Sequence, residues 1–129
     1  MDESLFEKLS KVEVGNKVRQ KGQFWYVSWS NAVRELLKAD PSATWEFTWF
    51  EGMPYLATPA GAFVECAVTA GGITRKQLLP ILDLKNKPVI EPNSNQVNKG
   101  HQRCLTKAIA LHGFGLQLWA GEDLSLIHI

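Results

Sequence analysis

Three cations stand at regular intervals in the segment from Asn98 to Leu124, the most informative part of this chain. Lys99, Arg103 and Lys107 are each four residues apart, so on a helix they share one face with steps of about 6 Å along the axis. No acid stands among them, and like charges at this spacing repel one another weakly. The step is close to the phosphate spacing of an extended single strand, which favours a nucleic-acid backbone as ligand. The alternative is a solvated helix face without a ligand.

The surrounding sequence supports both the helix and its positive charge. Cys104, Leu105, Ala108 and Leu111 fall on one apolar face at 100° per residue. Between residues 85 and 121 the chain has five Lys or Arg residues and one acid. The net charge of the whole chain is only +1, so an anion site must come from this local segregation of charge.

Aromatic residues and further cations extend the candidate interface. Single-stranded nucleic acids are often bound by aromatic platforms beside cations, although most aromatic residues at this density belong to a core. Two aromatic residues, Tyr26 and Trp29, are therefore candidates for stacking. The cations that complete the predicted DNA-binding set are Lys99, Arg103 and Lys107 with Arg75, Lys76, Lys85 and Lys87.

Length and composition bound the class of protein. At 129 residues with 45% hydrophobic content, the chain is expected to form one domain over residues 1–123 with its own core. The apolar tail 124–129 is interpreted as non-native or truncated. The sequence has no long apolar run and no apolar signal core, so a protein of the cytoplasm, without membrane contact, is expected.

Motifs for catalysis and cofactors are missing. There is no Walker phosphate loop, no nucleophile–base set and no carboxylate cluster of the kind a two-metal nuclease needs. His101 and Cys104 are three residues apart on the late helix, but no other metal ligands stand at recognisable spacing. We expect no cofactor, no metal and no enzymatic activity; a small nuclease is the less favoured alternative.

Hydrophobic periodicity predicts an α+β fold, in which one curved antiparallel sheet carries helices on one face. Trp45, Phe47 and Trp49 alternate and are expected on one side of their strand. The predicted helices are Ser4–Ser10, Ser28 or Ser30 to about Ala39, and Gln96–His112, and the predicted strands are Phe24–Val27, Thr44–Phe50, Met53–Thr58, Ala62–Ala70 and Ile73–Leu82.

Several short motifs resemble one family along nearly the whole chain. The most specific runs from Arg103-Cys104-Leu105-Thr106-Lys107 through Gly113 and Gly115 to Ala120-Gly121-Glu122-Asp123-Leu124. Weaker pieces are Phe6-Glu7-Lys8-Leu9, Tyr26-Val27-Ser28-Trp29, and Leu79-Pro80-Ile81-Leu82-Asp83 with Asn86-Lys87. In this order they resemble phage single-strand annealing proteins of the Sak type, in the superfamily of the eukaryotic annealing protein of recombination.

The resemblance implies a β-β-β-α core, homo-oligomeric rings or filaments, and ATP-independent pairing of complementary DNA strands. It also implies that cations on the helix after the sheet line the DNA groove, a role that falls to Arg103 and Lys107. A passive single-stranded DNA-binding protein is the main alternative. Two departures are Ser30-Asn31 after Trp29 and the missing charged C-terminal extension, through which such proteins can recruit host single-strand-binding protein.

Overall fold

Six strands and three helices make up the regular structure in residues 3–14, 18–21 and 24–119, the part of the chain that the computed structural model describes. A further helical turn covers residues 116–119. In chain order the elements are α1 (Leu5–Ser10), β1 (Val18–Lys21), β2 (Phe24–Val27), α2 (Trp29–Ala39), β3 (Thr44–Phe47), β4 (Leu56–Thr58), β5 (Gly61–Ala70), β6 (Ile73–Pro80) and α3 (Ser94–Ala110).

Strand β5 is the centre of a four-stranded antiparallel sheet. β3 pairs with its residues 66–69 and β4 with its residues 61–63, whereas β6 pairs with residues 63–70. Since a strand has two edges, β3 and β4 lie end to end on one edge of β5 and β6 occupies the other. β1 and β2 form a separate two-stranded sheet. The prediction that all strands belong to one sheet was therefore wrong.

The alternation of burial along β5 shows which face of the sheet is covered. Ala62, Val64, Cys66, Val68 and Ala70 are all buried, and the residues between them are only partly buried. α3 contacts β5 and β6 from the buried side, and α2 contacts α3. The predicted α+β class, with helices on one face of an antiparallel sheet, is confirmed.

Helix α3 begins earlier and ends earlier than predicted. Asn93 caps it through a capping box: its Oδ1 accepts from the Gln96 amide at 2.8 Å, and Gln96 Oε1 accepts from the Asn93 amide at 3.0 Å. At the other end the amides of His112 and Gly113 bond three residues back, to Ile109 and Ala110. This tighter turn ends the regular helix two residues before His112.

The strands before β5 and after it are shorter than their apolar runs. β3 ends at Phe47 because the chain then turns through Glu51 and Gly52, at φ of 49° and 84°, and closes a bridge between Phe50 and Met53. Trp49 is 65% exposed in this turn region, so its expected place beside Trp45 and Phe47 was wrong. β6 ends at Pro80, which has no amide hydrogen to donate.

A chain reversal after α3 brings the following segment back to the helices. Gly113 has φ of 123°, and a Cβ at this position would lie 2.6 Å from the carbonyl oxygen of Phe6. Phe114 is 2% exposed and Leu118 packs against the core. The reversal therefore depends on a residue without a side chain at position 113.

Two sequence expectations fall outside the described residues: the tail 124–129, and the Ala120–Leu124 part of the family motif. Within the ranges described, no helix is both long and apolar enough to span a bilayer.

We predict that Gly113→Ala lowers the free energy of unfolding by at least about 2 kcal/mol, since it combines a left-handed φ with a backbone clash. Gly72→Ala is the matched control: its φ is 77° but nothing lies within 4 Å of an added Cβ, so only about 1 kcal/mol is expected. Urea denaturation of both variants measures the difference, and equal losses would show that the Phe6 contact does not constrain the turn.

Candidate nucleic-acid interface

The α3 cation row, which we define as Lys99, Arg103 and Lys107, lies on successive turns of α3. Lys99 and Arg103 are exposed and Lys107 is half-buried. α3 contains no Asp or Glu, so the helix itself supplies no charge to neutralise the row. Lys107 lies in the last turn, where the helix dipole favours a cation. A row of this kind can bind the phosphates of a nucleic-acid backbone.

Trp119 lies against two members of this row. The centre of its ring is 5.5 Å from Cζ of Arg103 and 5.0 Å from Nζ of Lys107, within the range of a cation–π contact. The chain reversal at Gly113 brings this ring back to the helix. Sequence reasoning missed Trp119, because the glycines indicated where α3 ends but not the direction in which the chain continues.

The side of α3 that faces the sheet is held by His101 and Cys104. The His101 ring stacks on Phe47, with ring centres 4.3 Å apart, and its Nε2 lies 3.0 Å from the carbonyl oxygen of Pro54. The Cys104 thiol donates to the carbonyl oxygen of Gln77 at 3.1 Å. These separate contacts show that His101 and Cys104 position α3, which is the structural role expected of them.

Both cysteines are buried thiols with little thiolate character. Cys66 lies on the covered face of β5, and burial raises its pKa to about 12. Burial likewise raises the pKa of Cys104 to about 12. Thiols in this state are poor nucleophiles and poor metal ligands, so they act as small apolar side chains under α3.

The pairing register of β6 separates two adjacent candidate cations. Arg75 is paired with Val68, a residue of the covered face, whereas Lys76 is paired with Ala67 of the open face. Since neighbouring residues in a strand point to opposite faces, Arg75 lies on the side of α3 and Lys76 does not. Both side chains are exposed.

His112 joins the end of α3 to the sheet beside Arg75. Its Nε2 lies 2.9 Å from the carbonyl oxygen of Val68, and its ring is buried. Burial lowers the pKa of His112, and the nearby charge of Arg75 lowers it further. The ring is therefore neutral at pH 7, and Arg75 adds its charge to the end of α3 without a cationic neighbour at His112.

Lys85 and Lys87 project from a loop organised by one carboxylate. Asp83 Oδ1 accepts from the amides of Lys85 at 2.8 Å and of Lys87 at 3.0 Å. These bonds hold the pKa of Asp83 below its usual range, so the carboxylate stays charged and keeps the loop closed. Asn86 takes φ of 61° at the tip. Both lysines are exposed.

The two aromatic candidates stand near the start of α2. Trp29 is the first residue of this helix and is 41% exposed, and Ser28 caps the helix before it. Tyr26 is paired with Arg19 across the β1–β2 sheet, but its side chain lies outside the described part of the chain. Neither residue is brought into contact with the α3 cation row by any described interaction.

Two carboxylates, on the open face of the sheet and in the lysine loop, have structural partners. Glu65 accepts a hydrogen bond from Thr48 Oγ1 at 2.7 Å on the open face of the sheet, and Asp83 organises the lysine loop. In residues 3–14, 18–21 and 24–119, no three His, Cys, Asp or Glu side chains are grouped as a metal site would require. What the described geometry offers is electrostatic binding of a backbone, with an aromatic ring beside it.

We predict that Arg75→Gln, Arg103→Gln and Lys107→Gln each reduce the slope of log affinity against log salt by about 0.7 for a single-stranded oligonucleotide. Lys76→Gln is the matched control, because it removes the same charge one residue away on the opposite face. Its slope should equal that of the wild type. If Lys76→Gln lowers the slope and Arg75→Gln does not, the strand lies on the open face instead. Fluorescence anisotropy titrations over a range of salt concentrations measure these slopes.

Comparisons with known proteins place the chain in a family but give no individual relative. The model of the family described as Sak Single Strand Annealing Protein matches residues 4–126. No curated protein and no solved structure matches the chain. The family match contains all three elements of the interface, namely the sheet, α3 and the segment that returns to Trp119. Since the match covers nearly the whole chain, this protein belongs to the Sak single-strand annealing protein family.

Proposed function

We propose that this protein binds single-stranded DNA without strong sequence preference and anneals complementary strands without ATP, in phage recombination within a bacterial cytoplasm. The observation that carries the proposal is the α3 cation row, which stands on a helix without acids, with two of its three cations exposed and an aromatic ring beside it. Membership of an annealing family supports the same reaction. The sequence has no Walker phosphate loop, which supports the ATP-independent form.

The mechanism is electrostatic. Successive cations of the α3 cation row lie about 6 Å apart along the helix axis and bind successive phosphates of one strand. A backbone held in this way is extended, and its bases face outward. A second strand then tests its bases against the first, and matched pairing holds the product together. The protein supplies position and charge neutralisation, and base pairing supplies specificity.

We predict that the double variant Arg103→Gln/Lys107→Gln anneals complementary oligonucleotides at least tenfold more slowly than the wild type. Each phosphate contact makes the affinity about fivefold higher at 0.1 M salt than at 1 M salt. The double variant loses this gain for two contacts. Wild-type annealing should not change when ATP is added. Lys8→Gln on α1, also an exposed cation, is the control and should anneal normally.

The same assay separates the alternative functions. Binding that does not accelerate pairing would identify a passive single-strand-binding protein. Shortened labelled strands that appear only with Mg²⁺ would identify a nuclease. The proposed function is supported if the wild type accelerates the pairing of complementary strands and the double variant does not.

We further propose that the working form is a homo-oligomer. One domain of this size presents few cations to a strand, and repeating the site multiplies the contacts through effective concentration. β6 is the strand that we propose as the contact between subunits. Among the described strands it pairs with β5 alone. Its residues Ile73 and Leu78 are 51% and 45% exposed. An open strand edge of this kind is able to pair with another chain.

We predict that Leu78→Lys reduces oligomer formation, because a charge on an exposed edge strand opposes pairing with a second chain. Leu84→Lys is the control, since Leu84 is 87% exposed in the loop after β6 and not on the strand. Light scattering with and without a long oligonucleotide measures the mass. A wild-type protein that stays monomeric at micromolar concentration in both conditions, and still anneals, would contradict the proposal.

We also propose host single-strand-binding protein as a partner, on the ground of the resemblance alone, which implies a charged C-terminal extension that can recruit it. This partner is separable from the reaction itself. The annealing measurements above use naked DNA and do not depend on it.

A further inference from the structure

We propose that Trp119 is a base-stacking platform, which takes the base between two phosphates held by Arg103 and Lys107. The inference rests on the proposed function, because it assumes that these cations bind a strand. It adds an aromatic contact for the base to a site otherwise made of backbone contacts. Its ligand is one dinucleotide step of single-stranded DNA per subunit.

The geometry places one ring against two neighbouring cations. Cζ of Arg103 is 5.5 Å and Nζ of Lys107 is 5.0 Å from the ring centre of Trp119. The two residues are one helical turn apart, about 6 Å along the axis, which is close to the separation of adjacent phosphates in an extended strand. In the proposed complex, the base on the deoxyribose that links two such phosphates would lie beside the ring that contacts both cations.

The ring is held in this position by the fold. Gly113 lets the chain turn against Phe6, and Phe114 is buried directly after it. Leu118, the neighbour of Trp119, packs against the core. Trp119 itself is half-buried, so part of its surface stays accessible to a base. A platform fixed before binding does not lose side-chain freedom when the base arrives.

Stacking also fits the chemistry of annealing. A base stacked on an aromatic ring is contacted through its face, and its Watson–Crick edge remains free for a partner strand. Every base has such a face, so the contact requires no sequence preference. Loss of one stacked base typically weakens binding about 5- to 150-fold, without changing the number of phosphate contacts.

The test compares two ligands of equal length, an oligothymidine and an abasic oligonucleotide with the same phosphate backbone. Trp119→Leu keeps an apolar side chain for packing but has no aromatic face, and Trp119→Phe keeps a smaller one. We expect Trp119→Leu to bind oligothymidine at least fivefold more weakly than the wild type. We expect it to bind the abasic strand equally well, with an unchanged salt slope. Trp119→Phe should recover most of the affinity for oligothymidine.

The outcomes are distinct. Equal weakening of Trp119→Leu on both ligands would overturn the proposal, since Trp119 would then only position Arg103 and Lys107. Unchanged affinity on both ligands would overturn it as well. Trp49→Ala is the control: Trp49 is 65% exposed and lines a shallow groove with Lys76 on the sheet, and its loss should affect neither ligand.

Failure of this inference is separable from failure of the proposed function. If Trp119 does not stack, wild-type annealing and the salt slopes of the Arg103 and Lys107 variants remain as predicted. If the proposed function is wrong, the wild type itself does not accelerate pairing, whatever the Trp119 variants do. Thermal unfolding of Trp119→Leu and Trp119→Phe shows whether each variant is folded before its affinity is interpreted.

Discussion

The close packing of α3 on β5 and β6 fixes where the α3 cation row lies. Gly100 allows the helix to approach the sheet, because a Cβ there would lie 3.2 Å from Ile81 and 3.6 Å from Val64. Cys104 and Ala108 continue the contact with no exposed surface. Once this face is buried, the helix cannot rotate without exposing its apolar side chains to water. The row of cations therefore lies away from the sheet as a consequence of this packing.

Much of this arrangement follows from sequence patterns that act locally. The start of α2 after Ser28 and the strands Ala62–Ala70 and Ile73–Leu82 follow from short-range signals, and each was predicted close to its observed position. The end of α3 was predicted less well, because the last turn tightens through bonds to Ile109 and Ala110. Such tightening depends on the following chain, whose path is a tertiary property.

What the sequence did not predict depends on long-range geometry. Trp119 joins the interface only because the chain reverses at Gly113, and that reversal is set by a contact with Phe6, more than a hundred residues earlier. Arg75 and Lys76 are neighbours in one strand and so point to opposite faces, but only the pairing register shows which of them lies on the α3 side. Alternation predicted Trp49 on the same side of its strand as Trp45 and Phe47, but β3 ends before it and the following turn exposes it.

The two faces of the sheet differ in how charge is arranged, although the net charge of the chain is only +1. On the open face Lys76 shares its row with Glu46, since both are paired with Ala67. These two residues stand two strands apart, at about 10 Å, which is about one Debye length at 0.1 M salt. For a phosphate at a distance, the positive charge of Lys76 is therefore partly cancelled by the negative charge of Glu46. On the α3 side the cations are about 6 Å apart and α3 carries no acid. Charges this close act together within one Debye length, and this is the long-range attraction that the proposed binding of a strand requires.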